Sequence, residues 1–574
     1  MVARGAASAG WSGSRVGAGR IVGALAALLA ATLAVAGTPA SPAADVAAGE
    51  RLYRTGQLPD GSAVHAVREN QTLVQGATAA CVNCHRRSGL GNVEGNYVVP
   101  PVTAKYLMRS AAENNGDLEM AHVAGYHQGH VPYTDELLAR AVREGMASDG
   151  HALSGLMPRY DLDASTMADL TAYLHGLGQG PFPGVSDGAL QFATIVTPDA
   201  DPVERQAMLD VLQTFFKIQS EVIAAETRPL VSTHEIKYRV TRQWHLHVWE
   251  LTGPAPSWQA QLEAHMAAEP VFAILSGIGR SDWAPVHRFC ESAKVPCLFP
   301  NIDLPLVDEN NFYPVYFSRG VLLEADLLAR WLGDQPGASP TGRVVQVFRA
   351  GDVGAAAARA LQADLRAAGR DAELREVPAA AGPDGVAAAF RGLGAGDTLV
   401  LWLRGPDLAA LPAQPPPGGL LLSGLMGGME SAPLPAAWRA AARLAYIYDL
   451  PERRMARMNF PYGWFRVQHI PLVAERVQVN TYLACVVAAE TLGHMLDSFV
   501  PDYFIERLEM MVSRRLANAY FPRLGLAPGQ RFASKGGYIV HFDTSGRQAQ
   551  LPATADRRQS QAYPVIADTE WTVP

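Results

Sequence analysis

Hydrophobic positions follow one rhythm up to about residue 180 and another beyond it. From 45 to 178 they keep helical spacing. Asp45 to Tyr53 reads as a short helix. Thr134 caps a second, with Asp135 and Glu136 in its first turn, Leu138, Ala141 and Val142 on one face, and Gly145 as its stop. A third starts at Asp163 or Ser165, repeats Met167, Leu170, Leu174 and Leu177, and ends at Gly178 and Gly180. After the Gly/Pro stretch 179–186, short apolar runs alternate with amphipathic segments. Leu190 to Val196, His245 to Leu251, Val271 to Leu275 and Val295 to Phe299 read as strands. Val203 to Gln219, Trp258 to Ala268 and Trp283 to Ala293 read as the helices between them. A second round has strands at Arg343 to Phe348, Glu373 to Val377, Thr398 to Leu403 and Leu420 to Leu422. Its helices are Val353 to Ala368 and a long one over 476–497. Such alternation predicts parallel sheets covered by helices.

At 574 residues the chain exceeds a single core. Its net charge of −7 gives no support for nucleic-acid binding. Arg4, Arg15 and Arg20 precede an apolar run from Ile21 to Ala36, and small residues and Pro follow to Ala44. This is the pattern of an export signal over 1–44, too short for an ordinary membrane span, although an uncleaved anchor stays open. Nothing later reads as membrane-spanning. Of the five cysteines, Cys290 and Cys297 either pair or remain buried thiols, and Cys485 sits in an apolar helical stretch.

Cys81-Val82-Asn83-Cys84-His85 carries the sharpest chemistry. C-x-x-C-H is the attachment signature of haem c: two thiols reach two vinyl groups, and the adjacent imidazole turns under the iron. A zinc site needs two more ligands, and the remaining cysteines lie far away in sequence. A thioredoxin-type pair should open a helix after a strand, whereas Gly76, Ala77 and Thr78 precede this one. Met157, held before Pro158 in an extended loop, is the candidate sixth ligand. His127, His130 and His151 are the alternatives.

With these features, residues 45–178 resemble a class I cytochrome c domain: Gly49 and Tyr53 on the first helix, the motif, the Met157-Pro158 loop, and a last helix with Tyr173. The resemblance implies an all-α fold and one covalent haem, with thioethers at Cys81 and Cys84 and iron ligands His85 and Met157. It also implies a carbonyl from Pro100 or Pro101 supporting His85. The stretch between the first helix and Cys81 is longer than the minimal domain and reads as an insertion.

Residues 187–545 resemble the periplasmic binding protein type I fold, the branched-chain amino acid receptor group of ABC importers. The segments that carry this are Phe272-Ala273-Ile274-Leu275-Ser276-Gly277, Lys294-Val295-Pro296-Cys297-Leu298-Phe299-Pro300, and the strand–helix–strand from Arg343 to Val377. The expected architecture is therefore multidomain: an all-α cytochrome c domain (45–178), a linker (179–186), a two-lobed α/β body (187–545) and a C-terminal tail (546–574). In that family ligands sit between the lobes at the carboxyl ends of the strands, which points to Ser276, Gly277, Ser281, Pro300 and Asn301, and to Arg349. Small polar residues that would grip an α-amino acid are not evident, and bulky Trp283 sits close by.

Receptors of this type also resemble a subgroup linked to quinoprotein alcohol oxidation. That implies a quinoprotein dehydrogenase or a terminal oxidase chain as redox partner. No G-x-S-x-G, H-E-x-x-H or P-loop appears, and Gly392 to Gly396 precedes a strand instead of following one. The expected function is a periplasmic electron carrier whose lobes dock a redox partner or bind a small molecule. The alternative is a solute-binding or sensory protein whose haem reports redox state. An enzyme oxidising a ligand between the lobes lacks a second cofactor signature.

Overall fold

A computed structural model describes residues 44–115, 123–126, 129–226, 242–308, 311–334, 342–495, 498–514, 520–545 and 562–574. Most of the expected export signal, His127 and residues 546–561 lie outside these.

Asp45 opens α1 (Val46–Thr55) by accepting hydrogen bonds from the amides of Ala47 and Ala48, and Gly56 closes it in the left-handed region. The longer-than-minimal stretch then forms β1 (His65–Val67) and β2 (Leu73–Gln75). Next come α2 (Val82–His85), β3 (Asn92–Glu94), β4 (Tyr97–Val99), α3 (Ala104–Leu107), α4 (Ala111–Asn115), α5 (Asp135–Glu144), β5 (Arg159–Tyr160) and α6 (Ala164–Gly176). The sheet order β2-β1-β5 and the β3–β4 hairpin correct the all-α expectation for this part. Its strands have two or three residues, too few for an alternating pattern to show in sequence.

Helices α1 and α6 cross at Gly49, where a Cβ atom would stand 2.1 Å from the Asp169 carbonyl oxygen. Only glycine permits that approach. One turn on, the rings of Tyr53 and Tyr173 meet at 5.3 Å.

From 189 the chain builds β6 (Ala189–Val196), α7 (Pro202–Glu226), β7 (Gln243–Glu250), α8 (Trp258–Ala268), β8 (Ala273–Leu275), α9 (Ala284–Ser292), β9 (Cys297–Leu298) and β10 (Pro314–Val315). The five strands lie parallel in the order β10-β9-β8-β6-β7. Cys290 and Cys297 are joined as a disulfide between α9 and β9.

After α10 (Val321–Asp334), a second sheet collects β11 (Val344–Arg349), β12 (Ala372–Val377), β13 (Thr398–Trp402), β14 (Gly419–Ser423) and β15 (Ala442–Tyr446), all parallel. The helices between them are α11 (Gly354–Ala367), α12 (Pro383–Ala388), α13 (Gly405–Ala409), α14 (Gly424–Gly427) and α15 (Ala436–Ala441). Helices α16 (Pro451–Arg457), α17 (Asn459–Val467), α18 (Glu475–Met495) and α19 (Pro501–Arg514) follow. Two antiparallel strands, β16 (Tyr538–Phe542) and β17 (Val565–Ala567), extend the second sheet to the order β12-β11-β13-β14-β15-β16-β17. Part of the expected C-terminal tail is thus a strand. Its three residues carry no pattern of their own and are held by pairing to β16. The parallel strands of both sheets share one order, in which the second strand lies outside the first and the third follows on its other side. Residues 45–574 form one compact unit.

Glu324 on α10 is fully buried beneath the second sheet. It accepts from the Ser423 hydroxyl and, at 2.7 Å, from the Leu425 amide. Burial pushes its carboxyl up to about 8. The folded protein therefore keeps a proton that the unfolded chain releases near 4.5, so this group's stabilisation is full in acid and is lost as pH rises towards about 8. Thermal midpoints should fall over that window, and less steeply in Glu324→Gln. Equal slopes in the two proteins would show that Glu324 does not set the effect.

Candidate functional site

The C-x-x-C-H segment lies on one helical turn. Cys81 precedes α2, His85 ends it, and Arg86, with φ 65°, turns the chain away. Nδ1–H of His85 donates to the Pro100 carbonyl at 2.9 Å, with the tautomer assigned from that carbonyl partner. Burial lowers the imidazole's pKa. A neutral ring that donates through Nδ1 directs the Nε2 lone pair outwards, as an iron ligand requires. Of the two prolines proposed from sequence, Pro100 makes this bond. Gly91 lets the return strand come close, since a Cβ there would stand 2.1 Å from the Val99 carbonyl oxygen.

Cys81 and Cys84 form no disulfide. Burial pushes the Cys81 thiol up to about 11. The Tyr160 hydroxyl donates to the Ala79 carbonyl at 2.6 Å, beside the Cys81 thiol. Tyr160 is pinned by β5–β1 pairing, three residues after Met157. Met157 is half-buried, and the Arg159 guanidinium bonds its carbonyl. Of the alternative ligands, His151 is exposed and bonds Asp149, while His130 stacks on Tyr106 at 4.5 Å.

Apolar side chains around the motif stand in solvent: Val93 is 51% exposed, Tyr97 62%, Val98 41% and Leu156 53%. The hairpin bearing the first three lies near Cys84, whose thiol feels the charge of Glu94. Two thiols and a neutral imidazole beside uncovered apolar surface fit a covalent porphyrin, which would cover that surface.

The second feature is a crevice of about 1070 Å³. Arg280 follows β8 and Asp303 follows β9; Arg404 and Glu430 follow β13 and β14; Arg454 and Arg476 come from α16 and the start of α18. The crevice thus opens at the carboxyl ends of both sheets. Arg404 bridges it. Its guanidinium lies 2.9 Å from Asp303 on the first-sheet side and 2.7 Å from Asp352 on its own side, and it reaches the Arg280 carbonyl at 3.4 Å. Arg454 pairs with buried Glu430. Burial works against the Arg476 cation, yet Tyr448, Glu204 and Asp303 together raise its pKa. The walls therefore offer matched charges, with apolar surface from Met426, Met429 and Leu472.

Of the ligand residues inferred from sequence, Asn301 lines this crevice. Its amide nitrogen donates to Ser276 Oγ at 3.1 Å and to Thr481 Oγ1 at 3.2 Å. Ser276 and Asn301 thereby fasten α18 to the first sheet. Gly277 packs against Trp283, Ser281 bonds Asp199, Pro300 borders a small adjacent cavity, and Arg349 pairs with Asp407 at 2.5 Å. Arg404, Arg454 and Arg476 were not singled out from sequence. Arg404 directly follows the apolar strand Thr398–Leu403, a position that could have marked it.

No family model and no curated protein matches the chain. Among solved structures it is similar to a fatty acid ABC transporter substrate-binding protein from Thermomonospora curvata, at 15% identity over 69% of this chain and 95% of that one, TM-score 0.47. It is also similar to the leucine-binding protein LivK of Thermotoga maritima, at 11% identity over 63% and 98%, TM-score 0.45. A third is a branched-chain amino acid ABC transporter protein from Thermus thermophilus with bound valine, at 11% identity over 67% and 97%, TM-score 0.45.

Proposed function

We propose that the protein is an exported, periplasmic, two-lobed solute-binding protein that carries one haem c. The crevice at the carboxyl ends of two like-ordered parallel sheets carries the solute-binding part of this reading. Cys81 and Cys84 would hold the haem as thioethers, His85 and Met157 would ligate its iron, and Pro100 would orient His85. When bound, the haem supplies a one-electron couple. Export is supported by the basic and apolar N-terminal pattern and by the Cys290–Cys297 disulfide, since disulfides persist in oxidising compartments. Among the described residues, no helix is long and apolar enough to cross a membrane.

The test fills the crevice. A Cβ on Gly405 would meet only Pro433, at 3.7 Å, so Gly405→Trp extends into open space. Native mass spectrometry of periplasmic protein should show a non-covalent small molecule that this variant loses. Identical masses for both proteins, beyond the substitution, would end the solute-binding reading.

A second reading is favoured by the C-x-x-C-H segment and the His85–Pro100 bond: an electron carrier whose lobes dock a redox partner such as a quinoprotein dehydrogenase. Adding the recovered solute separates the two, because only a coupled binding protein shifts its haem potential on binding.

A further inference from the structure

Helix α19 turns three carboxylates, Asp502, Glu506 and Glu509, towards the segment that leaves the C-x-x-C-H turn. Asp502 lies 3.4 Å from Arg87 and 3.7 Å from Arg54, and also accepts from the Tyr313 hydroxyl at 2.8 Å. Glu509 lies 2.7 Å from Arg86 and is bonded by Arg531 as well. Glu506 differs from both. Its oxygens accept from the Ser88 amide at 3.0 Å and the Ser88 hydroxyl at 2.6 Å. It is 6% exposed. Among the described residues, no Lys, Arg or His nitrogen makes an ion pair with it.

We propose that Glu506 is a redox-linked proton site: it takes up one proton when an electron reaches the haem held at residues 81–85, and releases it on oxidation. This rests on the haem reading above. Three residues separate Ser88 from His85, at most about 11 Å of chain. The His85 and Glu506 side chains lengthen that path, and an added negative charge at about 20 Å, through an effective dielectric of about 20, raises a carboxylate's proton affinity about fourfold. Asp502 and Glu509 each hold arginine. Among the described residues, Glu506 is bonded by Ser88 alone.

Burial already holds the Glu506 carboxyl near 7; Arg86 and the Ser88 bonds oppose the rise, and Asp502 adds to it. The other groups facing it are the phenols of Tyr53 on α1 and Tyr503 on α19, both neutral at that pH. In the coupled step a one-electron donor is oxidised, ferric iron becomes ferrous, and an O–H bond forms at Glu506 with a proton drawn from solvent.

The test is spectroelectrochemical titration of the full secreted protein from pH ~5 to ~9. The potential should fall with rising pH through the neutral range. In Glu506→Gln, which mimics the protonated acid, it should stay near the acid-side value. The haem propionates are present in both proteins, so they cannot produce the difference. Ser88→Ala, which removes one bond to the ionised form, should move the fall to higher pH. Independently of any variant, the infrared difference spectrum of wild-type protein near pH 7 should gain a protonated-carboxyl band on reduction. A pigmented protein with no such band, or with the same fall in Glu506→Gln, overturns the proposal and leaves the haem reading standing. Colourless protein overturns both.

Discussion

Replacing Cys81 and Cys84 together by alanine yields a folded protein without covalent pigment. On the proposed reading two thioethers hold the haem, so wild-type protein secreted from a host that attaches haem c should keep its colour in the polypeptide after acidified organic solvent extraction. The double variant loses all of it. The fold should survive, because alanine removes one sulfur atom at each position and the Tyr160–Ala79 bond beside them uses a backbone carbonyl. Met157→Ala separates attachment from ligation: covalent haem remains and the weak near-infrared sulfur–iron band disappears. A wild-type protein that releases its pigment into the solvent would remove the haem reading, and an unchanged band in Met157→Ala would transfer the sixth position to another residue.

Arg404→Ala carries the second large effect. The side chain joins Asp303, on the loop after β9, to Asp352, on the loop after β11. The Asp303 carboxylate is 8% exposed, so removing its ion-pair partner leaves a buried charge with only the longer-range Arg476 cation to offset it. Breaking a buried pair in this way costs about 3 kcal/mol or more. The thermal midpoint should drop clearly, and small-angle scattering should report a larger radius of gyration as the crevice opens. Arg404→Lys should recover only part of this, since an ammonium cannot fork between two carboxylates. If Arg404→Ala keeps both the midpoint and the radius, the bridge does not hold the crevice.

Local chemistry made several features readable in advance. Thr134 and Gly145 bound α5 as the sequence predicts, since capping needs only residues within one turn. The inner strands of both parallel sheets appear as short apolar runs because they are buried on both faces, whereas the edge strands β7 and β12 keep polar residues exposed. The C-x-x-C-H spacing is itself a statement about one helical turn, so it names its residues without tertiary information.

Short elements held by distant partners were not readable in that way. Strands β1, β2 and β5 form by pairing across the chain, and none is long enough to show a period. The resemblance to binding proteins also pointed to Ser276 and Asn301 as ligand residues, and Asn301 does line the crevice. In the fold they face Thr481, which lies 205 and 180 positions further along.

The sequence alone determined the strand–helix alternation of the two parallel sheets and the position of the C-x-x-C-H turn, all from interactions spanning a few residues. Tertiary structure alone decided which charges meet. It set Arg404 against Asp303 across the crevice and, over 418 positions, Ser88 against Glu506. The partner of a buried charge depends on which chain segments pack together, and no local period or motif encodes that.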